Sequence, residues 1–183
     1  VAYDLSHSAD MATIDLSPYE AVFIGNDQPP GFYAAYTEQL ARFEAYVEAG
    51  GFLWLGGAGW GANGGSPDGV PLPGGGTING PVFEEANTIV APDHPLVAGI
   101  PNPITLEYAS HSVFSGYPAG SEIAVGDSSG QTTLAEYDLG AGRVVIVGQT
   151  VEFGWAFGLD LGLISPAACP MPWRSTRPTT CPG

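Results

Sequence analysis

The sequence has no lysine, only four arginines and only two cysteines among its 183 residues, against 19 acidic residues. Its formal net charge of -15 at pH 7 would repel polyanions, so nucleic acid and anionic lipid surfaces are excluded as partners. No apolar run reaches the ~18 residues that a membrane span needs, so no membrane insertion is expected. No signal-peptide pattern is present, and Val1 is expected to begin a mature or excised fragment.

Charged residues of both signs are scarce, at 13% of the chain, which is about half the usual share. Hydrophobic content of 44% with 11% aromatics predicts a packed globule whose length fits one domain. A surface of Gly, Ser, Thr, Asn and Pro is common in secreted and cell-surface bacterial proteins, so we expect that location. The acidic chain has no D-x-[DN]-x-[DN]-G loop, and its three histidines are widely spaced, so no metal site and no cofactor are expected.

The two cysteines lie in a tail of different character. Residues 165–183 are rich in proline and contain Cys169, Cys181 and two of the four arginines. A disulfide between these cysteines would close a small loop in an extracellular protein, and the alternative is two free thiols in a loose tail. We therefore divide the chain into a domain over 1–164 and a tail or linker over 165–183.

A strand–helix–strand unit is the clearest structural signal. Residues 19–27 form an apolar run that ends in turn residues, and 32–49 have apolar residues on one helical face. A second apolar strand is predicted over 52–56, after a Gly-Gly helix end. Short connections predict a right-handed βαβ unit with parallel strands. Near the end, 132–137 and 143–148 are predicted to form an antiparallel hairpin.

The remaining segments carry weaker signals. Strands are predicted over 87–91 and 122–125, and a capped single turn of helix over 93–101. The glycine- and proline-rich residues 60–81 are predicted to be a long loop or a small hairpin. The sequence therefore predicts an α/β fold: a three-layer, flavodoxin-like sandwich with a mostly parallel central sheet and a C-terminal antiparallel hairpin.

Two short motifs suggest enzymes but lack the context that the chemistry needs. Residues 59–64 match G-x-G-x-x-G, yet the following GSPDG cannot begin the helix that would hold a pyrophosphate. Residues 126–130 match the G-x-S-x-G nucleophile elbow, which requires a strand followed by a helix. Here a strand follows instead, so a strand-to-strand turn explains the glycine, aspartate and serine.

Histidines and aromatic residues supply the other candidates. His94 is predicted to cap a turn and to bond locally, whereas His111 lies between elements and is the best polar candidate. No three residues can be proposed that converge as a catalytic triad. Trp60, Trp155 and Phe157 could form a platform that stacks on sugars, or they could be loop anchors.

With the βαβ unit assigned, several segments in order resemble the class I glutamine amidotransferase-like superfamily. The likeness spans residues 19–164 and is greatest to the trehalose-utilisation-type (ThuA-like) branch. It rests on 19–26, the helix end at 43–51 and the strand at 52–56. Residues 91–101 are similar to that branch's "DHP…GIP" segment, and 136–149 to its glycine-containing hairpin.

The resemblance implies a catalytic cysteine in the turn after strand 52–56 and a histidine after the last core strand. Neither is present: no thiol or hydroxyl lies between Phe52 and Asn63, and QTVE follows at 149–152. Backbone N–H groups of the turn are expected to remain free for an anion or a hydroxyl-rich ligand. The candidate ligand-binding residues are Gly57, Ala58, Gly59, Trp60, His111 and Glu152.

The sequence therefore favours a non-catalytic, amidotransferase-like module of an extracellular or cell-surface bacterial protein. Its expected role is assembly, adhesion or ligand binding, with itself, neighbouring modules or carbohydrate as partners. Two alternatives stay open. One is a carbohydrate- or small-acid-binding domain, and the other is a hydrolase that uses His111 and Glu152.

Overall fold

The computed structural model describes residues 3–126, 129–159, 162 and 164, and within them it has one mixed sheet with helices. Nine strands form this sheet: β1 Ala21–Ile24, β2 Phe52–Gly56, β3 Thr77–Asn79, β4 Glu84–Ile89, β5 Ile104–Ser110, β6 Val113–Ser115, β7 Ser121–Gly126, β8 Thr132–Leu139 and β9 Gly142–Val147. The α-helices are α1 Pro30–Glu38, α2 Leu40–Glu48 and α3 Val151–Phe157, and 3-10 turns span Ser8–Asp10 and Pro95–Val97. The predicted tail over 165–183, with its two cysteines, lies outside the described residues.

The prediction of a mostly parallel, flavodoxin-like sandwich is wrong. Seven strands follow the order β1-β2-β9-β8-β7-β4-β5, while β6 pairs with β8 and also carries β3. Only β1–β2 and β2–β9 are parallel, and every other described pair is antiparallel. The reason lies in the connections. Parallel neighbours need a long crossover, but the five strands β3 to β7 follow one another without an intervening α-helix and turn back antiparallel.

The predicted βαβ unit and the hairpin are both present within this different sheet. β1 and β2 pair in parallel from Ala21–Phe52 to Ile24–Leu55, and β8 and β9 form an antiparallel hairpin. The single helix predicted over 32–49 is two helices, because the backbone leaves helical geometry at Gln39. The predicted apolar face continues across this break.

Both faces of the central strands are buried, which explains their continuous apolar sequence. On one face, Leu53 and Leu55 of β2 pack with α1 and α2. On the opposite face, Phe52 and Trp54 pack against a second cluster that includes Leu96 and other residues of the segment before β5. The sheet therefore separates two apolar cores.

The β8–β9 turn closes over the end of α2. The N–H of Ala141 donates to the carbonyl of Glu48 at 3.0 Å, and that of Arg143 donates to Gly51 at 3.1 Å. A Cβ on Gly142 would lie 2.1 Å from the carbonyl oxygen of Val47. Glycine is required there because two backbones approach too closely for a side chain. This contact fixes α2 against the sheet.

Several short elements were not predicted. The loop or hairpin predicted over 60–81 contains β3, and no strand was expected over β5 or β6, nor a helix over α3. The turn predicted between β7 and β8 is consistent with the Gly126 N–H donating to Gln131 O at 2.7 Å. Residues 127 and 128 of the G-x-S-x-G motif lie outside the described residues. Among the described residues, none of the helices is both long and apolar enough to cross a membrane.

Candidate functional site

Asp27 organises the glycine-rich loop that follows β2. It is only 1% exposed and has a positive φ of 53°. One carboxylate oxygen accepts from the N–H groups of Trp60 at 3.0 Å and Gly61 at 2.9 Å, and the other accepts from Asn63 at 3.2 Å. The Asn63 side chain also donates to the Asp27 carbonyl at 2.7 Å. Successive N–H groups of this kind form an anion-binding concavity, and here the anion is the protein's own aspartate.

Asn26 joins three segments at the same edge of the sheet. Its side-chain oxygen accepts from the Ala58 N–H at 2.8 Å, and its amide nitrogen donates to the Gln149 carbonyl at 3.0 Å. The Glu152 carboxylate accepts from the Asn26 N–H at 3.0 Å and from its side-chain amide at 2.5 Å. The ends of β1, β2 and β9 and the start of α3 are thereby held together.

The expectation that the turn after β2 offers free N–H groups is wrong for most of its residues. The Gly57 N–H donates to the carbonyl of Val147 at 2.7 Å, and those of Ala58, Trp60, Gly61 and Asn63 are bonded as described above. Neighbouring side chains also occupy the space beside the glycines of this turn. A Cβ on Gly57 would lie 3.0 Å from the ring of Phe114, and one on Gly59 would lie 2.7 Å from Pro67. A side chain at Gly59 would clash with Pro67, and one at Gly57 would require the Phe114 ring to move by a few tenths of an ångström.

The first residue of segment 149–152, where the resemblance implied a histidine, is also internal. Gln149 is fully buried, and its amide nitrogen donates to the side chains of Asn87 and Thr133, each at 2.8 Å. Buried polar side chains, rather than a solvent-filled cleft, surround this residue. The turn at 57–59 therefore holds no cysteine, and segment 149–152 holds no histidine.

His111 lies within a cluster of exposed aromatic rings beside this loop. Its ring centroid is 6.1 Å from that of Trp60, 5.1 Å from Phe83 and 5.6 Å from Tyr108, all near perpendicular. We call these four residues the aromatic cluster. His111 itself is 6% exposed, whereas Trp60, Phe83 and Tyr108 are 39%, 54% and 43% exposed. Three aromatic side chains therefore meet solvent around a buried imidazole.

The imidazole has a defined tautomer. Nδ1 of His111 lies 3.3 Å from the carbonyl oxygen of Gly59, which can only accept, so Nδ1 carries the proton. Burial lowers the pKa of His111 below its usual value, against smaller opposing effects of this hydrogen bond and the Asp27 charge. The ring is neutral at pH 7, and its Nε2 has the lone pair.

The chain positions each ring through a different element. Trp60 is fixed by the loop around Asp27, Tyr108 lies on β5, and Phe83 immediately precedes β4, the neighbour of β5. Phe83 and Tyr108 were missed by sequence reasoning, because neither β5 nor its pairing with β4 was predicted. Their aromatic character was visible in the sequence, but nothing there placed them beside Trp60.

The other sequence candidates are distributed differently. Trp155 and Phe157 are exposed on α3, where Phe157 contacts Phe153 with ring centroids 4.5 Å apart, and no described ring contact joins them to Trp60. Within the described part of the chain, no hydrogen bond or ion pair joins His111 to Glu152. His94 accepts from the Leu96 N–H at 3.3 Å, which confirms the predicted turn cap. Its other nitrogen lies 3.3 Å from a Glu136 oxygen.

An open cleft of about 940 Å³ lies elsewhere, between residues 15–20, α2 and the turn at Gly50–Gly51. It contains none of the predicted site residues. Its arginine, Arg42, donates to the carbonyls of Met11 and Ile14 and is therefore engaged within the protein. Within residues 3–126, 129–159, 162 and 164, no group of three or more His, Cys, Asp or Glu could hold a metal ion.

Comparisons with known proteins give a sequence relative and similar folds, but no family. No protein-family model matches the chain. An uncharacterized protein of Clostridium acetobutylicum is 31% identical over 163 residues, which are 89% of this chain and 16% of that protein. The chain thus spans about one sixth of the length of this curated relative.

Two solved structures of proteins described as cytoplasmic, both from Salmonella typhimurium, are similar in fold. One has a TM-score of 0.52 at 15% identity, with 79% of this chain and 68% of that chain covered. The other has a TM-score of 0.51 at 15% identity, with 73% and 62% covered. At this identity the similarity concerns the fold alone.

Proposed function

We propose that this chain is a non-catalytic, carbohydrate-binding module of a larger extracellular or cell-surface bacterial protein, and that the aromatic cluster is its binding surface. The observation that carries the proposal is the exposure of three aromatic rings around one buried, neutral histidine. Binding sites for small molecules combine aromatic walls with a few fixed polar groups. Trp60 and Tyr108 also add a polar tip to a large apolar surface.

The chemistry of the loop supports binding rather than catalysis. Catalysis by the amidotransferase route needs a thiolate, a base and free oxyanion donors. The turn at 57–59 has no side chain that could attack, and the space for a Cβ is tight at Gly57 and blocked by Pro67 at Gly59. His111 donates to a backbone carbonyl rather than to a carboxylate, so the Ser-His-Asp arrangement is not formed there.

Other observations support the part of the proposal that places this module in a larger extracellular or cell-surface protein. The Clostridium relative continues far beyond the aligned region, as expected if this chain corresponds to one module of a larger protein. Absence of lysine and a surface poor in charge favour a secreted or surface location. Amidotransferase-like ancestry stays a proposal, supported by the adjacent β1, β2 and β9 and by the "DHP…GIP" turn that His94 caps.

The test is binding to a panel of neutral hexasaccharides of glucose, mannose, galactose and xylose. The wild-type chain is compared with Trp60→Ala and with Trp155→Ala, which removes a second exposed tryptophan on α3. We expect at least one hexasaccharide to bind the wild type. Trp60→Ala should weaken that binding about fivefold or more, since stacking on an aromatic ring supplies about 1 kcal/mol or more. Trp155→Ala should bind like the wild type.

Two results would contradict the proposal. Failure of the whole panel to bind, or binding that is lost with Trp155→Ala and kept with Trp60→Ala, would remove the aromatic cluster as the binding surface. Shortened oligomers in the mass spectrum after incubation with wild type would show hydrolysis. That result would favour the hydrolase alternative.

A further inference from the structure

The loop that holds Trp60 has a negative charge behind it. Three of its N–H groups, at residues 60, 61 and 63, are bonded to the Asp27 carboxylate, which is almost completely buried. A ligand that reaches the Trp60 ring therefore finds these donors occupied. An acidic ligand would also approach a carboxylate whose charge is screened little by solvent.

No cationic side chain is described near the aromatic cluster to offset that charge. The chain has no lysine, and of its four arginines Arg174 and Arg177 lie outside the described residues. Arg42 donates to two backbone carbonyls near the N-terminus. Arg143 lies beside Glu136 and Asp138 at the start of β9, level with Phe52 and so at the opposite end of β2 from the loop. The neutral His111 adds no positive charge at pH 7.

We infer that the ligand of this surface is an uncharged saccharide, and that Asp27 makes the surface exclude acidic sugars by filling the glycine-rich loop with an internal anion. This inference rests on the proposed function and narrows its ligand class. Asp27 acts as a positioning residue for Trp60, and its negative charge makes the surface prefer neutral over acidic saccharides. The small acids considered from the sequence do not fit, because their carboxylate has no free donor at residues 60, 61 or 63.

The experiment uses matched ligands. Each glucose, mannose and galactose hexasaccharide of the panel is compared with the same oligomer after oxidation of its C6 hydroxyls to carboxylates. A xylose oligomer has no such hydroxyl and is omitted. The oxidised oligomer then differs from the neutral oligomer mainly in its charge at C6. In low-salt buffer, the wild type should bind the oxidised form about tenfold more weakly than the neutral form, or more weakly still. Equal or tighter binding of the oxidised form would overturn the inference while leaving the carbohydrate proposal intact.

The role of Asp27 is tested by Asp27→Asn. Asparagine tolerates the positive φ and keeps one acceptor oxygen, but it removes the charge. We expect the preference for the neutral form to shrink severalfold, a change in ratio that a general loss of folding would not produce. Asp93→Asn removes one exposed charge in the turn before β5 and should leave the ratio unchanged.

The outcomes separate the two proposals. An unchanged ratio in folded Asp27→Asn, checked by circular dichroism, would overturn the role of Asp27. If that variant does not fold, the wild-type comparison still decides the ligand class. If no neutral oligomer binds the wild type but an oxidised one does, two claims are wrong: that the ligand is uncharged, and that Asp27 excludes acidic sugars.

Discussion

At the scale of single residues, two neighbouring polar side chains determine what the glycine-rich loop can do. Asn26 and Asp27 follow β1 and provide acceptors for N–H groups of the loop after β2. In a loop with few apolar side chains, such bonds replace core packing as the source of order. The loop is therefore fixed from inside the protein, and Trp60 is held at its surface.

Replacement of Asn26 by alanine should destabilise the fold. It would leave the N–H of Ala58 and the carbonyl of Gln149 without a partner in a buried place, at about 1–3 kcal/mol for each group. We expect a loss of about 2–4 kcal/mol in the free energy of unfolding, measured by urea denaturation. Asn79→Ala, which removes a surface bond to Ser115, should change stability by less than about 0.5 kcal/mol. Similar losses for both variants would contradict this role of Asn26.

His111 should make stability depend on pH. Its folded pKa lies below the ordinary value near 6.5 because burial disfavours the imidazolium, so the unfolded chain takes up the proton first. The stabilising contribution is complete above about pH 6.5 and is lost as the pH falls through the depressed folded pKa. Asp27 and Tyr108 are the titratable groups identified near the ring, and the Asp27 charge opposes the shift.

The measurement is the free energy of unfolding between pH 5 and 7 for wild type and His111→Gln. Wild type should lose stability more steeply on acidification than the variant does. A steeper loss in the variant, or a titration of the His111 ring by NMR above its ordinary pKa, would show that burial is not the dominant effect.

At the scale of elements, the strongest sequence signals identified real elements. The apolar stretches at β1, β2 and β9 and the amphipathic α2 follow from periodicity and burial on both sheet faces. β5 and β6 could not be recognised in the same way, because they are ordered by pairing with distant strands rather than by local pattern. The three-residue β3 similarly depends on its pairing with β6.

The contact between the β8–β9 turn and α2 gives a prediction at this scale. A methyl group in Gly142→Ala would overlap the backbone carbonyls of Val47 and Gly51, neither of which can rotate away. We expect a loss of about 2 kcal/mol or more in the free energy of unfolding. Gly31→Ala is the matched control, because its new Cβ on α1 meets no atom within 4 Å. That change should instead stabilise the chain by about 0.4–1 kcal/mol, and equal effects of the two would contradict this account.

At the scale of the whole molecule, the sequence predicted a mixed α/β composition. It also identified the loop after β2 as part of the candidate site. It could not reveal that most strands are antiparallel, because the direction of a strand depends on the length and type of its connections. The site was likewise only partly visible. Trp60 and His111 were candidates from the sequence, while Phe83, Tyr108 and Asp27 join them only through the folded arrangement of β4, β5 and β1.

The central claim is that Trp60 and its aromatic neighbours form the face that binds a neutral saccharide. The most direct test is an NMR titration of the nitrogen-15-labelled chain with a neutral hexasaccharide from the panel that binds. The account predicts that shifts concentrate at the Trp60 indole N–H and at the amides of residues 59–63, 83 and 108–111. Shifts centred on α3, or on the cleft lined by residues 15–20, would contradict it.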